Sequence, residues 1–166
     1  MTTAQLDDID RQILDLLQRD ARITNAAIAA EVGLTAPSVF ERVRKLEQRE
    51  VIQGYTINID PAALGKPMTA FIRLTAAFDD RYDAGVKAVS EDPDVLECYN
   101  VAGEDCLVLK IKCGSPSDLE RLLGRIRSRL TVQRSVTMIA LRALKENAPL
   151  NVLPQPEKPA AKRAKK

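Results

Sequence analysis

An α+β fold of two small domains and a charged tail follows from three features of this 166-residue sequence. Apolar residues recur at the helical period through the first fifty positions. From Met68 onward, helical stretches instead alternate with stretches of period two. The last residues, "NVLPQPEKPAAKRAKK", lose the apolar content needed for a core and turn strongly basic. Residues 1–60 are expected to form a helical domain with an extended linker, 61–148 a mixed domain, and 149–166 a disordered basic tail.

The first domain reads as three helices. Asp7 is a fitting N-cap, and Ile9, Ile13, Leu16 and Leu17 recur on one helical face. Thr24 caps a short second helix from Asn25 to Val32, with Ile28, Ala29 and Val32 on one side. Gly33 suits a left-handed helix end. Thr35 caps a third helix, Pro37 falls in its first turn, and Val39, Val43 and Leu46 make its apolar stripe. A helix, a tight Gly corner and a second helix held against the first make a helix-turn-helix. The stripe turns Ser38, Glu41, Arg42 and Lys45 outward, the face that enters the major groove in such motifs. With Thr35 at the helix start and Arg44 and Arg49 placed for phosphates, these seven form the candidate DNA-facing set. An amphipathic hairpin whose charges merely solvate it is the competing reading. "VIQGYTINI" then alternates and is β-rich, which predicts a strand or ribbon that completes a winged motif and links to the next domain. "DPAALGKP" marks the boundary.

In the second domain "MTAFIRLTA" predicts a strand and "DDRYDAGVKAVSED" a helix with Tyr82, Val86 and Val89 on one face. "DVLECYNV" and "CLVLKIKC" are strands joined by the hairpin turn "AGED". "SPSDLERLLGRIRSRL" is a helix capped by Ser115, with Leu119, Leu122, Leu123, Ile126 and Leu130 inward, and "VQRSVTMIAL" is the closing strand. The order βαββαβ is a ferredoxin-like unit: an antiparallel sheet with both helices on one face. Ile72, Leu74, Leu96, Cys98, Leu107, Leu109 and Ile111 are expected to face those helices. Phe71, Tyr99, Val101, Val108, Val136 and Met138 would lie on the open face, where an apolar surface normally meets a partner. Homodimer formation through the sheet is the expectation.

Composition narrows the function classes. The chain has no His, the commonest general base and metal ligand, and no nucleophile–base pair, metal set or phosphate-cradling Gly loop stands out. A binding protein without a cofactor is expected rather than an enzyme. No apolar run reaches the roughly 20 residues of a membrane span, and the polar N-terminus is unlike a signal peptide. Three Cys without CxxC spacing suit a reduced, cytoplasmic protein. Net charge is −3 over residues 1–60, +1 over 61–150 and +4 over 151–166, so the excess sits in the tail.

The stretches "LDDIDRQILDLLQRDARITNAAIAAEVGLTAPSVFERVRKLEQREVIQGY" and "VLECYNVAGEDCLVLKIK" resemble the Lrp/AsnC family of transcription regulators, a likeness that covers about residues 4–145. The resemblance implies a sequence-specific regulator that binds double-stranded DNA. It implies dimers through the sheet, further assembled in some members to octamers. It also implies a small effector, commonly an amino acid, held near the loop between the central strands. At matching positions that site comprises Tyr99, Asn100, Ala102, Gly103, Glu104, Asp105 and Cys106. Gly103 could expose backbone N–H groups to a carboxylate, and Glu104 or Asp105 could accept from an ammonium; an ordinary acidic turn is the plainer alternative. Two positions depart from the family pattern. Cys106 stands where Asp is common, and Glu50 stands where Gly is usual. The basic tail is a further departure, and it favours a second reading as a nucleoid-type architectural protein with little effector response.

Overall fold

The computed structural model describes residues 6–153. They divide into two units, one of residues 6–57 with 145–153 and the other of residues 58–144.

The first unit holds α1 (Asp8–Arg19), α2 (Asn25–Val32) and α3 (Ala36–Gln48). Each is capped by the side chain its sequence offers. Asp7 accepts from Asp10 N at 2.7 Å, Thr24 from Ala27 N at 3.2 Å and Thr35 from Ser38 N at 3.4 Å. Gly33 ends α2 at φ 69°, ψ 33°, the left-handed conformation that makes the corner. Ile13, Leu14, Ile28, Ala29, Val39 and Leu46 are buried, with Ile9, Leu17, Val32 and Val43 packed around them. Leu14 joins this core beyond the stripe that periodicity marks. Glu50 takes φ 55°, accepting the left-handed turn a Gly would make at lower cost.

Two expectations change in this unit. Residues 53–60 form no β ladder among the described residues, so neither wing nor linker strand is present in the single chain. A strand needs a neighbour's backbone donors and acceptors, and Tyr55, Ile57 and Ile59 instead stand exposed. The chain also returns after residue 144 to lie on α1. Residues 149–153, expected to open the tail, are held there by hydrogen bonds, and Val152 packs on the helical core. Residues 154–166, with the tail's basic groups, lie outside the described residues.

The second unit runs β1 (Met68–Ala76), α4 (Tyr82–Ser90), β2 (Val95–Asn100), β3 (Leu107–Cys113), α5 (Pro116–Arg129) and β4 (Val132–Ile139). Its four-stranded sheet has the order β2-β3-β1-β4, and every neighbouring pair is antiparallel. Ala70, Ile72, Leu74 and Ala76 of β1 and Leu107, Leu109, Ile111 and Cys113 of β3 face Tyr82, Val89, Leu119, Leu122, Ile126 and Leu130 of the helices. Gly85 permits the close approach of α4 to the end of α5, since a Cβ there would run into the Arg129 carbonyl.

On the opposite face Phe71 aligns with Lys110 and Met138, while Arg73 aligns with Val108 and Val136. That face is thus apolar at its centre, with charged neighbours. Leu96 departs from its expected inward position. A register irregularity between Val95 and Glu97 exposes it by 52%, while Val95 and Cys98 pack on the core. One extra residue in a strand resets which side chains face inward.

Below the helices, Asp92 is the ionic centre of this unit. Its carboxylate, 1% exposed, accepts from Arg125 Nε at 2.8 Å and Nη2 at 2.9 Å, and from Arg129 Nη1 at 2.9 Å. These bonds, with those from Arg125 the strongest influence, hold the Asp92 carboxyl down at about 2. Asp94 extends the network to Arg125 and to Lys66, each at 2.7 Å.

Candidate functional site: the outer face of α3 and the β2–β3 loop

The packing of Val39 and Leu46 fixes the roll of α3 about its axis. Ser38, Glu41, Arg44, Lys45 and Arg49 are exposed. Thr35 combines capping with a 2.9 Å hydrogen bond between its hydroxyl and that of Ser38, which orders the start of the helix. Glu41 and Arg44 form a loose ion pair at 3.6 Å. Beside this face runs an open cleft of about 660 Å³, lined by Asp7, Asp10, Ser38, Glu41, Arg42, Lys45 and Arg49.

Arg42, half-buried beside the same cleft, is engaged within the domain. Its Nη1 donates at 2.7 Å to both Asp7 and Asp10 at the start of α1. Those bonds, to Asp7 and then to Asp10, raise the guanidinium pKa further, and Asp7 lies below the usual carboxylate range through the Asp10 amide and Arg42. Arg42 thereby ties α3 to the start of α1, while Ser38, Glu41, Arg44 and Lys45 remain exposed. Phe40, 53% exposed beside Arg44 and Tyr55, was not marked by the apolar stripe.

The β2–β3 loop separates its candidate residues into two groups. Val101 N donates to Cys106 O at 3.0 Å and closes the hairpin, leaving Ala102, Gly103 and Glu104 exposed at the tip. Gly103 has φ 144°, a conformation open to glycine, and nothing lies within 4 Å of the place a Cβ would take. Tyr99 and Asn100 are exposed at the end of β2, and the Tyr99 hydroxyl donates to Glu97 at 3.0 Å.

Asp105 and Cys106 point the other way. The Asp105 carboxylate is 6% exposed; it accepts from Arg73 Nε at 2.6 Å and from the Thr75 hydroxyl at 3.4 Å. Cys106 is buried, donating from Sγ to Leu74 O at 3.3 Å and accepting from Ala76 N at 3.2 Å. Both fasten the hairpin to β1, and their side chains turn away from the exposed tip. Arg73 and Thr75, which anchor the loop, carry no local sequence signal for that task because they lie thirty or more residues away.

A helix-turn-helix with an exposed polar face, followed by a βαββαβ domain, defines a DNA-binding regulator with a ligand-binding module. Residues 6–47 match the AsnC-type helix-turn-helix domain, and residues 69–150 match the Lrp/AsnC ligand binding domain. The chain belongs to the Lrp/AsnC family of transcription regulators. It is 39% identical over 134 residues to the HTH-type transcriptional regulator LrpA of Mycobacterium tuberculosis, covering 81% of this chain and 89% of that protein. It is 34% identical to the glutamate uptake regulatory protein of Zymomonas mobilis, covering 92% and 93%. Among solved structures, a Neisseria meningitidis transcriptional regulator in complex with L-Met superposes with a TM-score of 0.82 at 25% identity, covering 88% of this chain and 96% of that one.

Proposed function

We propose that this regulator reads its operator with Ser38, Glu41, Arg44 and Lys45, while Thr35 orders the helix start, Arg49 approaches phosphate, and Arg42 positions the helix. The observation that carries the reading is the rotation of α3: its buried stripe leaves all four exposed, Ser38, Glu41 and Lys45 along one open cleft and Arg44 on the side of Phe40 and Tyr55. Arg and Lys donate to guanine edges, and Glu accepts from cytosine N4. Selection of a preferred duplex from a random pool, followed by binding assays of Lys45→Ala and Arg44→Ala, tests it. A side chain that reads a base contributes about 1–3 kcal/mol, so roughly a 5–150-fold loss is expected on the preferred duplex. Equal losses on preferred and random duplexes would favour the nucleoid-type reading, to which the basic tail lends support. A regulator of this kind works on the chromosome, hence in the cytoplasm.

The effector reading is an amino acid or related metabolite at the tip formed by Tyr99, Asn100, Ala102, Gly103 and Glu104. It is supported by the open space at Gly103 and by the L-Met bound to the Neisseria relative. One chain leaves this tip uncovered, which favours a site completed by another copy. The exposed Phe71 and Met138, and the unpaired linker with Ile57 and Ile59, favour a homodimer, with octamers as the larger assembly. Calorimetry with the twenty amino acids on wild type and Gly103→Asp checks the loop. Binding that survives Gly103→Asp unchanged would make it an ordinary turn.

A further inference from the structure

The tip of the β2–β3 loop has a charged neighbour that lies outside the loop. Arg134, near the start of β4, is paired with Thr75 of β1, and such partners project from the same face of a sheet. The Thr75 hydroxyl donates to Glu104 O at 3.2 Å, which holds the Glu104 backbone beside β1. The Glu104 side chain reaches into solvent. Its carboxylate meets Arg134 Nη1 only at 3.9 Å, with side-chain exposures of 82% and 57%. The next acid behaves differently, because Asp105 is buried and bound to Arg73 Nε at 2.6 Å. Arg134 lies four residues along β4 from Met138, about 13 Å. This polar end is therefore separate from the apolar part of the open face around Phe71 and Met138.

We propose that Arg134 and Glu104 hold the head group of an α-amino acid effector, Arg134 taking its carboxylate and Glu104 its ammonium. The proposal deepens the effector reading above and rests on it. A loose, exposed ion pair contributes little to stability, so opening it costs little. An α-amino acid carries both charges on one carbon. It fits between the two side chains and replaces one weak contact with two charge-assisted ones. The planar guanidinium also matches a carboxylate through two parallel N–H donors. A ligand with a single charge opens the pair and leaves one member unmatched. Gly103 keeps the space beside Glu104 clear, with nothing within 4 Å of the place a Cβ would take. Asp105 does not substitute for Glu104, since its carboxylate closes the hairpin onto Arg73 and Thr75. The pair reads only what all α-amino acids share. Choice among side chains falls to the copy that covers the tip.

The experiment is calorimetry on the full chain with three probes. They are the amino acid of the twenty that wild type binds most tightly, the same molecule without its amino group, and the same molecule without its carboxylate. A hydrogen bond to a charged group is worth about tenfold or more in affinity, so wild type should bind each single-charge analogue at least about tenfold more weakly. Arg134→Gln should weaken the amino acid by a similar factor and leave the amine unchanged. Glu104→Gln should weaken the amino acid and leave the carboxylic acid unchanged. Arg134→Lys keeps the charge without the fork and should recover part of the loss.

If wild type binds none of the twenty, the effector reading and this proposal fall together. If either Gln variant binds the amino acid as tightly as wild type, the head-group assignment is overturned and the loop reading stands. Equal weakening of all three probes by the variants would make the two residues structural supports, and it overturns the assignment in the same way.

Discussion

The two units each tie one helix to another element with Asp and Arg, and burial makes the two ties different devices. In the helix-turn-helix, Asp7 and Asp10 hold Arg42 with side-chain exposures of 53%, 11% and 32%. In the sheet domain Asp92 is 1% exposed between Arg125 and Arg129. Water competes for both partners of the first tie; in the second it reaches the two arginines but scarcely the Asp92 carboxylate. An exposed tie orients, with little net stability of its own. A buried one becomes a requirement of the fold, because removing one partner strands the others.

The cores differ in the same direction. Fifteen buried residues make up the sheet-domain cluster and six the helical one, so the helix-turn-helix is expected to unfold first.

Removing Asp92 should break this contrast most severely. Asp92→Asn leaves two arginines without their carboxylate, and the partial exposure of both limits the cost to about 2–3 kcal/mol. Urea unfolding should show the loss in the sheet-domain transition alone. A smaller effect comes from acid. The Asp92 pKa is about 2 in the folded protein against an ordinary 3.8. Its contribution is therefore complete above about pH 4 and is lost as pH falls through 2. The shift is worth about 2 kcal/mol at neutral pH. Unfolding measured across pH 2–5 should show this drop in wild type and lack it in Asp92→Asn.

The helical cluster should respond more mildly. A double-mutant cycle of Asp10→Asn and Arg42→Ala should give a coupling of about 1 kcal/mol in stability. If Arg42 is a brace, Asp10→Asn should also weaken DNA binding in the same direction as Arg42→Ala. An Arg42→Ala defect with no coupling to Asp10 would return Arg42 to the base-reading set. The smallest change is a gain. Glu50→Gly removes the left-handed strain at φ 55° and adds backbone freedom to the unfolded chain. The balance should be about 0.5–1 kcal/mol more stability in the first transition, narrowing the gap between units.

Local chemistry was well marked in the sequence. Asp7, Thr24, Thr35 and Ser115 are caps because their side chains reach amides three residues on. Gly33 makes the corner, and the hairpin falls at "AGED". Features set by distant contacts left no such mark. Arg42 and Asp7 are 35 positions apart, and Arg73 and Asp105 are 32 apart, so no spacing rule announces either pair. Period two places Leu96 inward because alternation has no memory of one inserted residue. The linker's β pattern specifies a strand's faces but not its neighbour. The return of residues 150–152 to α1 depends on Gln18, a residue with no distinguishing pattern.

That return has a consequence for biosynthesis. The first unit is discontinuous in the chain: the whole sheet domain, 58–144, is translated between α1 and the segment that covers it. The three helices emerge early, yet Gln18 and Arg11 wait for partners made more than 130 residues later. A nascent chain carries its recognition helix long before α1 is closed, and it completes that unit only after the domain that senses the effector has been made. The order of synthesis thus leaves the surface of α1 that residues 150–152 cover open until the sheet domain has been made.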